Sequence, residues 1–448
     1  MLKQFILFAA LSLSTVAVAQ DKAALDFGAR EGVLDVSLSP DGTKIAYIIP
    51  DKGQGSRLYT VDIANSGKSF PALSVSGDPE RLSYCEWVSN ARLICLISMV
   101  LREASEPVSV SRLVAVNADG TELKLVSIRQ GYNAERFSYF GGSLIDLLPT
   151  DDGAVLLGRE YVPEGRIGSL ITKSAEGYGV DRVDTKTLAT ESVVRPTRFA
   201  SEYISDGTGT VRIMGVMKTD AGYDSGVRRY VYRPVGQTDW QPLGEYDSTS
   251  DNGFNPYAVD PSDNAVYGFE KFEGRFALYK VKLDETLSKT LIFNRPDVDV
   301  DNLITLGRKK RVIGVSFATE KRQAVYFDPT FEKLGSSLSK ALPDAALIHF
   351  GGMSADEQKL IVWAGSDTNP GQYYHFNKAT KTVSPLFASR PELEGYKLAP
   401  VKAVNIKSGD GTLIPGYLTL PVGIEAKGLP AIVMPHGGPS SRDEWGFD

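Results

Sequence analysis

Apolar and polar positions alternate with a period of two along most of this chain, in short runs broken by Gly, Pro, Asp and Asn. That is the pattern of half-buried β-strands joined by tight turns. One unit recurs: an aromatic or aliphatic strand, a polar turn, then a second short strand. It appears as "RLYTVDIANSGKSFPAL" around Leu58, "RLVAVNADGTELKLV" around Leu113, "YGVDRVDTKTLATESVV" around Val180 and "RYVYRPVGQTDWQPL" around Tyr230. It continues as "ALYKVKLDETLSKTLI" around Leu278, "AVYFDPTFEKLGSSL" around Val325 and "YYHFNKATKTVSPLF" around Tyr374. The intervals between these positions are 55, 67, 50, 48, 47 and 49 residues.

Between the copies a second hairpin pattern returns, as in "VSLSPDGTKIAYI", "LLPTDDGAVLLG", "YISDGTGTVRIMGV", "YAVDPSDNAVYGFE" and "GGMSADEQKLIVWAG". In Pro40-Asp41-Gly42 the proline presets one turn dihedral, the aspartate bonds backbone two residues on, and the glycine supplies a positive φ. Two hairpins in about fifty residues make a four-stranded sheet. Such sheets repeated around an axis form a β-propeller, whereas a sandwich has no need of so regular a period. Seven copies predict an all-β, seven-bladed β-propeller over about residues 30 to 390.

After Phe387 the texture changes. "ASRPELEGYKLAP" reads as a helix-poor linker, and two alternating strands around Gly409-Asp410-Gly411 read as a hairpin. The continuous apolar run Ala431 to Met434 has the composition of a central α/β strand covered on both faces. The expected organisation is a leader over 1–19, the propeller over 20–393, and the beginning of an α/β domain, cut short, over 394–448.

Composition narrows the partners. A formal net charge of -6 without long like-charge blocks gives no reason to expect nucleic acid or an anionic membrane surface. Lys3 followed by "FILFAALSLSTVAVA" and the small pair Ala17 and Ala19 has the chemistry of a secretory signal peptide cleaved near Ala19 or Gln20. The mature protein is therefore expected outside the cytoplasm, secreted or periplasmic, with no membrane insertion after cleavage. The two cysteines, Cys85 and Cys95, flank "EWVSNARLI", a second predicted hairpin. A cross-strand disulfide and two buried thiols are both compatible with that spacing.

The chain closes on "LPAIVMPHGGPSSRDEWGFD", in which an apolar strand breaks into His436-Gly437-Gly438-Pro439. A loop of this kind can turn a backbone N–H toward a carbonyl under attack, because glycine lets the backbone approach without a Cβ in the way. With Ser39-Pro40-Asp41-Gly42, "SDTNPGQYYHFN" at 366–377 and "SGDGTLIPGYLTLP" at 408–421, the chain resembles the prolyl oligopeptidase family of serine peptidases, in particular its acylaminoacyl-peptidase and dipeptidyl-peptidase-like members. The resemblance spans the mature chain; it is generic in the propeller and specific in the last fifty residues.

It implies a propeller that caps an α/β-hydrolase domain and admits short oligopeptides, cleaved by a Ser-Asp-His triad without metal or cofactor. By the same resemblance the Gly438 N–H is the oxyanion donor, Gly437 shapes the loop, and His436 supports it without acting as general base. The family's nucleophile sits in a Gly-x-Ser-x-Gly elbow, and none occurs here; "GGSLI" at 141–145 lacks the closing glycine. The triad is thus expected beyond residue 448, and the 448 residues are expected to be an inactive fragment. Two other readings remain: a non-catalytic propeller that binds peptides or a partner, and an esterase of the same fold.

Other residues invite chemistry. His349, His375 and His436 lie too far apart in sequence to suggest a zinc site, and the first two fall in blade strands. "SGKS" at 66–69 lacks the first glycine of a phosphate loop. "DVDVDN" at 297–302 hints at calcium, but Asn302 replaces the loop glycine and Arg308 stands where the bidentate acid belongs. Trp445 is expected to pack as a core aromatic or beneath the site, and Arg442 is expected to pair with Asp443. Glu103 and Glu106 read as a solvated loop, or, through the dipeptidyl resemblance, as anchors for a peptide's free ammonium.

Overall fold

The computed structural model describes residues 22–438 and 441–448, apart from 64, 66, 103–105, 129, 150–152 and 166–172. The leader sequence lies outside the described residues. From residue 35 to 388 the chain builds seven antiparallel sheets in strict sequence order: blade 1 (35–75), blade 2 (81–125), blade 3 (143–197), blade 4 (200–253), blade 5 (255–293), blade 6 (302–341) and blade 7 (347–388). This is the seven-bladed propeller that the fifty-residue period predicts. In every blade but the sixth the recurring unit supplies the outer hairpin.

The turns form as their chemistry dictates. In blade 1 the Asp41 carboxylate accepts from Ser39 Oγ at 2.7 Å and Thr43 N–H at 2.9 Å, and Gly42 takes φ +63°. Blade 7 repeats the device, with Asp356 accepting from Ser354 Oγ and Gln358 N–H.

Blade 6 departs from the expectation. "AVYFDPTFEKLGSSL" was expected to form two strands, but Arg322–Tyr326 is followed by a helix, Pro329–Ala341, where the other blades carry an outer strand. The cause is local. Asp328 caps the helix by accepting from Thr330 N–H at 2.9 Å, proline fits the first turn, and the 3.6-residue period of Phe331, Leu334 and Leu338 turns one face inward. Phe331 packs edge-on to Phe350 of blade 7, ring centroids 5.3 Å apart.

No blade is a core by itself. Among the described residues the buried apolar side chains fall into seven clusters, and each lies between two consecutive blades. Between blades 1 and 2, for example, Leu58 and Ile48 meet Trp87, Leu93 and the cysteine pair. Cys85 and Cys95 sit directly opposite each other on adjacent strands and are disulfide-bonded, which settles the two readings in favour of the bridge.

Cations reinforce the same joints. Lys44, Arg92, Arg212, Arg311 and Lys359 all stand at the start of a blade's second strand, and each reaches the next blade. Lys44 Nζ donates to the Asn90 carbonyl, Arg92 Nη2 to the Thr185 carbonyl at 2.6 Å, Arg212 Nη2 to Asn264 Oδ1 at 2.7 Å, and Arg311 pairs with Glu357. Lys359 Nζ donates to the Gly42 carbonyl at 3.0 Å, joining blade 7 to blade 1.

That last joint closes the ring, and no strand is exchanged across it: blade 7 is made wholly of residues 347–388. Its fully buried cluster is Leu38, Ile45 and Ile361, three residues where the joint of blades 1 and 2 has eleven. Tyr47 against Phe387, centroids 4.4 Å apart, and Ala355 N–H to the Pro40 carbonyl at 2.7 Å complete it.

A second tie runs across the ring. Arg308, in the blade 6 turn, donates to the Trp87 carbonyl at 2.5 Å and the Val88 carbonyl at 3.0 Å on the far side, in blade 2. The same turn lies so close to blade 4 that a Cβ on Gly207 would meet the Lys309 carbonyl oxygen at 2.2 Å. Arg308→Ala should therefore cost about 2–4 kcal/mol, since it leaves two carbonyls without a charged donor, with Arg308→Lys in between. Thermal unfolding of the three proteins checks this, and an unchanged midpoint in Arg308→Ala would refute it.

Candidate active-site face

Beyond blade 7 the chain gathers on the face of the propeller that carries the 318–321 and 366–371 turns. Val401–Lys407 and Leu413–Thr419 pair as the expected hairpin, closed by Ser408 N–H to the Thr412 carbonyl, with Gly411 at φ +92°. Tyr417 OH donates to the Glu320 carbonyl at 2.7 Å and Val401 N–H to Asp367 Oδ2 at 2.8 Å, fixing the hairpin to blades 6 and 7.

The apolar run that follows is not the buried strand its composition suggests. Residues 431–434 form no strand, and Ile432, Val433 and Met434 are 90%, 87% and 80% exposed. A central strand needs hydrogen-bonded neighbours on both edges, and the described residues offer it none.

His436-Gly437-Gly438 continues this open segment. Gly438 takes φ +112°, which a side chain would strain, and nothing lies within 4 Å of a Cβ placed on Gly437. His436 Nδ1 sits 3.0 Å from the Gly437 carbonyl oxygen, a local contact that braces the turn. The imidazole borders a cavity of about 480 Å³ between the hairpin and blade 6, together with Tyr417, Glu320, Arg442 and Asp443.

Past the loop the chain is held tightly. The Arg442 guanidinium donates to the Ala318 and Thr319 carbonyls, both at 2.8 Å, and its local bond is to the Asp443 carbonyl rather than the expected carboxylate. Glu444 pairs with Arg322, Nε to Oε2 at 2.7 Å, and Arg322 in turn holds Asp301 at 2.7 and 3.1 Å. Trp445 is 6% exposed; its indole N–H donates to the Val401 carbonyl at 2.9 Å and the Lys321 ammonium lies 3.5 Å from its ring centroid. It therefore packs as a core aromatic against the hairpin's first strand.

The remaining candidates separate. His349 is exposed and His375 half-buried, both in blade 7 strands, and the pKa of each is lowered, chiefly by desolvation. The acids of 297–302 are committed to protein partners: Asp297 to Arg295, Asp299 to the Phe276 N–H and Asp301 to Arg322. The 66–69 segment spans a blade turn, with Gly67 N–H bonded to the Asp62 carbonyl and Ser66 outside the described residues. Glu103 also lies outside them; Glu106 is exposed.

Sequence reasoning missed a charged group inside the ring. Asp35 and Glu86, on the first strands of blades 1 and 2, are both raised, chiefly by burial: Asp35 to about 6, against the pull of the Cys85 N–H, and Glu86 to about 7, with Asp35 adding to the effect. Arg308 and Lys310 oppose the shift on Glu86. The acids are single letters in strands, and only the ring closure brings Glu86 under the influence of Arg308, far along the chain.

The architecture is that of a propeller carrying an exposed, glycine-rich loop beside one face. No family model matches the chain. It is 26% identical over 283 residues to dipeptidyl aminopeptidase BIII of Pseudoxanthomonas mexicana, a match covering 61% of this chain and 40% of that protein. Among solved structures it resembles a puromycin hydrolase (TM-score 0.55, 13% identity, 94% of this chain and 64% of the other). It also resembles prolyl oligopeptidase B of Galerina marginata bound to a 35-residue peptide substrate (TM-score 0.53, 12% identity, 91% and 59%). The likeness to the solved structures shows the propeller fold, and the chain spans 40% of the dipeptidyl aminopeptidase and 64% and 59% of the two solved structures.

The Glu86 shift has a definite sign. Its folded pKa lies above its ordinary 4.5, so its contribution to stability is fully present below pH 4.5 and lost as pH rises through about 7. Glu86→Gln, uncharged throughout, should be more stable than the parent at pH 8 by on the order of 1–3 kcal/mol and indistinguishable from it at pH 4. Denaturant melts at the two pH values decide it; an equal difference at both would remove ionisation as the cause.

Proposed function

We propose that this chain is the propeller and leading segment of an exported serine peptidase that releases short pieces from oligopeptides, of the dipeptidyl- or acylaminoacyl-peptidase type. The observation that carries the reading is the open His436-Gly437-Gly438 loop beside the propeller face, in a chain related over most of its length to a dipeptidyl aminopeptidase. Glycine at positive φ lets the backbone present an N–H without a Cβ in the way, as a backbone oxyanion donor requires. In this reading Gly438 N–H faces the developing oxyanion, and the Ser-Asp-His triad belongs to an α/β-hydrolase domain continuing from residue 394 past 448. The propeller limits the size of substrate that reaches it.

Export is supported by two independent features. The leader has signal-peptide chemistry, and the buried Cys85–Cys95 bridge is a bond that persists in oxidising compartments.

The test is to express residues 20–448 beside the same protein extended through the remainder of its reading frame. The extended protein should hydrolyse dipeptide p-nitroanilides in preference to p-nitrophenyl esters, and the 448-residue chain should hydrolyse neither. Gly438→Ala in the extended protein should lower kcat by about 10²-fold or more with little change in KM. A preference for esters would make it an esterase, and a frame that ends without a Gly-x-Ser-x-Gly elbow would make it a binding module; either result overturns the proposal.

A further inference from the structure

The loop and the strap behind it have opposite characters. Residues 431–438 are exposed and a Cβ added to Gly437 would meet nothing within 4 Å, while four residues beyond Gly438 the chain is fastened to blade 6. The fastening has a centre. Arg322 opens the third strand of blade 6 and forks toward two carboxylates at once, Asp301 on its own blade and Glu444 on the strap. Two parallel bonds to each carboxylate fix direction as well as distance. Arg322 also donates to Ser316 Oγ at 3.0 Å, so its head cannot swing without leaving blade 6. Neighbouring bonds fasten the strap on both sides: Arg442 to the Ala318 and Thr319 carbonyls before Glu444, and Trp445 to Val401 and Phe447 N–H to the Ser366 carbonyl after it.

We infer that Arg322 is a positioning residue, through which blade 6 sets where the His436-Gly437-Gly438 loop can sit. The inference rests on the oxyanion reading of that loop. Its physical content is that, among the described residues, no hydrogen bond ties His436, Gly437 or Gly438 to the propeller, so the loop's place follows from its anchored end. A movement of blade 6 is then transmitted to the loop through a rigid guanidinium fork, whereas a lysine at 322 would offer a single point charge. The arrangement gives the propeller a role beyond sorting substrates by size: it becomes part of the scaffold that holds the oxyanion donor.

Two measurements test this separately. In the 448-residue chain, hydrogen exchange at 441–447 is compared for wild type, Arg322→Ala, Glu444→Ala and the double variant. Each single change should speed exchange there about ten-fold and leave blades 1 to 5 unaltered, and the double variant should be no worse than either single. Additive effects, or exchange that does not respond to Arg322→Ala, would overturn the coupling. In the extended protein, Arg322→Ala should lower kcat several-fold at unchanged KM, with Arg322→Lys recovering only part. Coupled exchange with an unchanged kcat overturns the positioning role. Coupled exchange with no hydrolysis even by wild type overturns the peptidase reading and leaves the strap standing.

Discussion

The structure depends on one constraint: a four-stranded blade has two apolar faces and can cover neither by itself. Every buried cluster is shared between neighbours, so the fold holds only when the last blade meets the first. Here no strand is lent across that joint, and its buried apolar cluster is small. Polar ties take up part of the role. Lys359 and Ala355 bond the Gly42 and Pro40 carbonyls along the seam, and Arg308 joins blade 6 to blade 2 through the interior. A guanidinium suits the interior position because it is weakly hydrated, permanently charged and able to serve two carbonyls at once. The same guanidinium lies within electrostatic reach of Glu86 and Asp146, and it pulls down a Glu86 pKa that burial pushes up.

Much of this was legible in the sequence, because blades are local. The period gave the number of sheets, and the Pro-Asp-Gly turns, the Gly409-Asp410-Gly411 hairpin and the cysteine hairpin all form from residues within a few positions of one another. The helix of blade 6 was also written locally, in Asp328-Pro329 and the spacing of Phe331, Leu334 and Leu338. It was obscured because six clear copies of a strand-turn-strand unit make a seventh the natural expectation.

What the sequence could not disclose are partners without a side-chain signature. Arg308 bonds backbone carbonyls 220 residues away, and Arg442 bonds carbonyls 123 and 124 residues away. Any residue supplies a carbonyl, so nothing in the letters at 87, 88, 318 or 319 marks them as acceptors. In sequence Arg308 is merely the wrong residue for a calcium loop. Arg322 and Glu444 do carry complementary charge, but so do many pairs in a chain with 49 basic and 55 acidic residues, and only the docking of the tail selects this one. Next to the glycine loop, the apolar run at 431–434 that looks like a central strand forms no strand and lies open among the described residues.

The tail shows how an exposed segment can still be well placed. Between Val401 and Trp445 the chain makes an excursion that ends where it began, with the indole N–H on the Val401 carbonyl, 44 residues apart in sequence. Closing a loop of that length costs about 3 kcal/mol in chain entropy, growing only slowly with length. Burying the Trp445 ring offsets on the order of 2–3 kcal/mol of it. Charge-assisted bonds from Arg442 and the Arg322–Glu444 pair then contribute a further margin. The margin is needed because the excursion itself, from the hairpin tip to Gly438, adds almost no buried surface. Closure at the two anchors therefore confines the glycine loop to the neighbourhood of blade 6 without immobilising it.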